Sequence, residues 1–133
     1  MRSNTVPPVV AALLALALLL PIAHAQDRAP AQRQALIDLA YVLGESHALR
    51  QLCAGFSDQY WRERMQNLVR AETPDADLDR RLKAAFNTGF IAGQSGFPAC
   101  GRASRREEGR LAERGRALAA SLTGAVAMDA SPR

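Results

Sequence analysis

No stretch of this chain is apolar for long enough to cross a bilayer as a helix. The longest apolar run, Val9–Leu20, has about 12 residues, against the roughly 20 that such a helix needs. Histidine is almost absent, with His24 and His47 alone, and that scarcity excludes a metal site built on several imidazoles. There are only two cysteines, Cys53 and Cys100. They form no Cys-x-x-Cys pair, which argues against a thioredoxin-type redox motif, a haem attachment site or a zinc ribbon. Gly89, Gly93 and Gly96 follow no strand pattern, so they do not make a phosphate-binding loop. The formal net charge of +4 is too mild to mark a nucleic-acid binder. These absences leave no cofactor and no metal to expect.

What is present begins with an export signal. Arg2, the apolar run, Pro21 and then Ala23-His24-Ala25 have the order of a secretory signal peptide, with cleavage expected after Ala25. The expected organisation is therefore a signal peptide at 1–25, a flexible lead at 26–32, a helical domain at 33–124 and a disordered tail at 125–133. No cysteine follows the cleavage site directly, so a lipid anchor is not expected, and the compartment is periplasmic. An oxidising compartment favours pairing Cys53 with Cys100. Closing a loop of about 46 residues would stabilise the fold by roughly 4 kcal/mol in the chain-entropy account.

The periodicity throughout is helical. Leu36, Ala40, Leu43 and His47 mark the buried line of a first helix, and Gly44 on that face suits a second helix passing close above it. Gly55 reads as its stop and Ser57 as the N-cap of the next helix, with Phe56 and Trp61 at hydrophobic-staple spacing. Trp61, Met65, Leu68 and Val69 form the second stripe. Thr73-Pro74 reads as N-cap and first helical residue of a third helix, whose ridge is Leu78, Leu82, Phe86 and Phe90, with Phe97 continuing it. Ala85, Gly89 and Gly93 form a row of small residues beside that ridge. Ser104 and Glu107 have capping-box spacing ahead of Leu111, Leu118 and Leu122. The expected fold is all-α, a small antiparallel three- to four-helix bundle stapled by one disulfide. Helices one and three run parallel with helix two between them, because the bond requires their ends to meet.

Two features invite a functional reading. His47 suits general acid-base work by its titration range, yet it lies on the buried line while Glu45 projects to nearly the opposite side. The other feature is arginine. Arg102, Arg105, Arg106, Arg110, Arg114 and Arg116 crowd the fourth helix, and Arg102, Arg106, Arg110 and Arg114 recur every four residues. Glu107, Glu108 and Glu113 offset part of that charge, and what remains is a candidate anion- or partner-binding surface.

Several segments together resemble a known family: Leu43-Gly44, His47, Leu49-Arg50, Leu52-Cys53, Trp61-Arg62, Met65, Ala71-Glu72, Ala85-Phe86-Asn87, Gly89-Phe90 and Cys100. In this order they resemble a family of small secreted alphaproteobacterial proteins described only as a domain of unknown function. The resemblance implies export and a shared helical domain, and no catalytic residue. The resulting expectation is a non-enzymatic periplasmic module that binds or supports an envelope component, an acidic protein or an anionic lipid surface. The alternative is a small periplasmic hydrolase using His47 as general base.

Overall fold

The computed structural model describes residues 28–129. The segment read as a signal peptide and residues 130–133 of the tail lie outside the described residues. Four helices and no strand occur among the described residues: α1, Pro30–Ala54; α2, Tyr60–Glu72; α3, Ala76–Gly96; and α4, Arg102–Asp129.

The helix starts differ from the sequence expectation, each for a local reason. α1 begins at Pro30, inside the segment expected as a lead, because proline tolerates the first helical turn where its missing N–H goes unused. α2 starts at Tyr60 rather than after Ser57. The Asp58 carboxylate accepts the Tyr60 N–H, and the buried Gln51 amide donates to the Phe56 and Asp58 carbonyls, holding the turn open. Phe56 is consequently 81% exposed and does not staple onto Trp61. Thr73 is the C-cap of α2, left-handed at φ 42°, and its N–H reaches the Val69 carbonyl. The N-cap of α3 is therefore Asp75, whose carboxylate accepts the Leu78 N–H at 2.8 Å. Ser104 lies inside the first turn of α4, exchanging hydrogen bonds with the Gly101 backbone, so it does not cap the helix toward Glu107.

α1 is the hub, and α3, α4 and α2 pack on it in decreasing order of contact. The α1–α3 seam is tightest. A Cβ built on Gly44 would stand 2.0 Å from the Phe86 carbonyl oxygen, and one on Gly89 would stand 2.1 Å from that of Tyr41. Gly93 is pressed in the same way against Glu45 and Ala48. Residue numbers rise together along both helices, so they run parallel. Their ends meet at Cys53–Cys100, with Cα atoms 5.0 Å apart, inside the range a disulfide requires. Contact this close leaves no room for α2 between them, and α2 lies to one side instead.

α2 and α4 run against α1. Arg50 pairs with Asp58 at one end of α1, while Arg33 reaches Asp75 and Arg28 reaches Glu72 at the other. Ser104 lies beside Cys53, and Leu122 joins Leu36 in the core. The main core gathers Leu36, Ala40, Leu43, Met65, Leu78, Leu82, Phe86 and Leu122. A second cluster of Val42, Leu49 and Leu111 seats α4 on the far side of α1. Each fully buried leucine contributes about 1.5–3 kcal/mol relative to exposure, so both faces of α1 are anchored.

Candidate functional site

His47 is fully buried, at 0% exposure. Its ring lies 5.8 Å from Phe86 and 5.3 Å from Phe90, centroid to centroid. Neither ring nitrogen has a hydrogen-bond partner among the described residues. Burial holds the imidazole below its usual titration range, the Arg62 charge pushes it the same way, and Asp58 opposes both. Asp58 itself is bonded to Arg50 through both carboxylate oxygens, at 2.8 and 2.9 Å. A general base needs hydrogen-bond reach to a substrate proton, and this imidazole meets neither solvent nor a carboxylate.

Glu45, two residues earlier, serves the opposite face. It lines a groove of about 590 Å³ between α1 and α4, shared with Tyr41, Glu107, Arg110, Glu113 and Arg114. Desolvation pushes the Glu45 carboxyl up, Arg114 draws it back down, and Glu107 and Arg110 add smaller opposing effects. The sequence separates Glu45 from His47 by helical phase, but it does not reveal that the arginines of α4 meet Glu45 across this groove. That juxtaposition depends on which helix covers the second face of α1.

The arginines themselves sit outward. At 100° per residue, Arg102, Arg105, Arg106, Arg110 and Arg116 fall on the half of α4 opposite Ser104, Leu111 and Leu122, which are buried, while Arg114 flanks the buried side, toward the Glu45 groove. All six are exposed. Arg110 pairs with Glu107 one turn back. Among the described residues Arg102, Arg105, Arg106, Arg114 and Arg116 make no ion pair. Arg110 and Arg114 border the Glu45 groove, and Arg102 and Arg106 continue the row toward the disulfide end. The apolar side of α4 is spent on α1, while the large exposed apolar residues, Phe56, Tyr60 and Ile91, lie on other elements.

Among the described residues no group of His, Cys, Asp and Glu side chains could hold a metal ion. No helix among them is long and apolar enough to cross a membrane. Residues 31–125 match a family described as "Protein of unknown function (DUF2385)". No curated protein and no solved structure matches.

Proposed function

Because this chain belongs to the family of unknown function matched over residues 31–125, its role has to be read from its surfaces, and we propose that it is an exported, non-enzymatic helical module whose α4 face docks an acidic protein of the cell envelope. The observation that carries the reading is the arginine-rich surface of α4, where six guanidinium groups are exposed and, among the described residues, only Arg110 is held in an ion pair. Arginine binds carboxylates through two parallel hydrogen bonds, so a row of them suits an acidic protein face. An acidic protein fits better than a bilayer because, among the residues whose burial is described, the large exposed apolar side chains, Phe56, Tyr60 and Ile91, lie away from α4 and its charges. Export is supported by the order of charged, apolar and small residues before Gln26 and by a disulfide suited to an oxidising compartment.

The test replaces Arg106, Arg110 and Arg114 together by Gln. Helicity and melting should stay nearly unchanged, since these side chains face outward. Wild-type protein should bind immobilised polyglutamate in a salt-sensitive way, and the triple variant should bind at least tenfold more weakly. Binding to anionic phosphatidylglycerol vesicles without binding to polyglutamate would transfer the role to lipid. Equal binding by both proteins, or binding insensitive to salt, would reduce the row to a solvated face.

A further inference from the structure

The α1–α3 seam contains a titratable group with nowhere to put a proton. His47 is sealed between Phe86 and Phe90, and both of its nitrogens are buried without a partner. The seam is tight around it: Gly44 presses on the backbone of Phe86 and Phe90, and Gly93 presses on Glu45 and Ala48, on either side of His47 in the sequence. A buried polar group left unsatisfied costs stability that an apolar side chain of similar volume would not. Nothing in the core explains why an imidazole occupies this place.

The surroundings decide what protonation would do. From α2, Arg62 acts on the ring with like charge, its guanidinium standing over the outer side of Phe86 at 5.9 Å. From the α1–α2 turn, Asp58 is the one carboxylate acting on the ring, and it is tied to Arg50. α3 contributes only Phe86 and Phe90 to its ring contacts, and no group of α4 acts on it among the described residues. An imidazolium here would be a desolvated charge with no counter-ion free to meet it.

We propose that His47 is an acid-sensitive latch: uptake of a solvent proton by its imidazole parts the α1–α3 seam, while Cys53–Cys100 keeps the C-terminal ends of the two helices joined. The closed state binds the proton more weakly than the open state does, so closure is fully favoured above the ordinary histidine range. It is lost as pH falls below about 6.5. Each further pH unit raises the open fraction about tenfold until the closed form itself takes up the proton. The opened seam bares Phe86 and Phe90, which makes the device a conversion of outside acidity into apolar surface.

Glu45 works in the opposite sense. Its carboxyl is pushed up in the closed protein, so it takes a proton more readily there and steadies the fold as pH falls. The clean background is therefore Glu45→Gln.

The experiment follows hydrogen exchange of amides at residues 43–49 and 86–90 in the oxidised full chain, between about pH 7.5 and about pH 5, corrected for intrinsic exchange. Opening should rise about tenfold per pH unit below about 6.5 in the Glu45→Gln background, and it should become flat when His47→Leu is added. Equal slopes with and without His47 would overturn the latch. If His47→Leu fails to fold, the imidazole C–H resonances of the folded Glu45→Gln protein decide instead. The latch requires that the His47 signal keep its neutral position while the helices stay closed, and ordinary titration near pH 6.5 with the seam intact would overturn it.

Discussion

A single methyl group reports how closely α1 and α3 approach. Gly44 and Gly89 each place their missing Cβ about where a backbone carbonyl oxygen of the other helix already stands, and backbone cannot step aside as a side-chain tip can. Gly44→Ala and Gly89→Ala should each destabilise by about 1–3 kcal/mol or more, the usual range for overpacking a filled core. Gly109 on α4 meets nothing within 4 Å, so Gly109→Ala should stabilise by about 1 kcal/mol through helix propensity alone. Urea unfolding of the three variants checks this, and a Gly44→Ala protein as stable as wild type would mean that the seam has slack. The close approach was legible in the sequence because a glycine costs a helix stability and needs a packing reason. The place of His47 on the line through Leu36, Ala40 and Leu43 predicted a partly buried histidine, and its complete burial depends on Phe86 and Phe90 arriving from α3.

At the scale of the helix, the ends carry the information that the sequence hides. Thr73, Pro74 and Asp75 are all good start residues, and a linear reading takes the first. Thr73 is already claimed by the end of α2, so capping falls to Asp75, which the Arg33 guanidinium also grips. The start of α2 is displaced likewise, because Asp58 serves Arg50 and Tyr60 together. Neither arrangement can be found without knowing which arginine of α1 arrives. Asp75→Ala should lower the melting temperature by roughly a few degrees, whereas Asp75→Asn keeps the cap and loses the charge pair. The Arg33 hydrogen bonds and the Leu78 N–H hold the Asp75 carboxyl down at about 2. Its contribution is therefore present above about pH 3.8 and fades as pH falls from there through about 2. Thermal melts across that interval should show the acid loss in wild type and much less of it in Asp75→Asn. The His47 window lies well above it, so the two effects separate cleanly.

Over the whole molecule, parallel pairing of α1 with α3 followed from two cysteines whose helices had to finish together. The arrangement around them did not. Hydrophobic stripes say which face of a helix is covered but not by which neighbour, so α2 was expected between α1 and α3, and the groove joining Glu45 to Arg114 went unseen. Removing the staple tests how far the hub depends on it. The double variant Cys53→Ala, Cys100→Ala should lose about 4 kcal/mol in the chain-entropy account, read as a lower urea midpoint, and an unchanged midpoint would make the bond incidental. The same bond also fixes how the protein carries tension. A pull applied at the two ends of the domain travels along α1, crosses between the sulfurs and leaves along α4. α2 and α3 hang outside that path as a slack loop, hiding roughly 150–165 Å of contour that cannot be drawn out until the bond is cut. Under load, the helix that carries half of the His47 seam is thus spared the strain that its parallel partner bears.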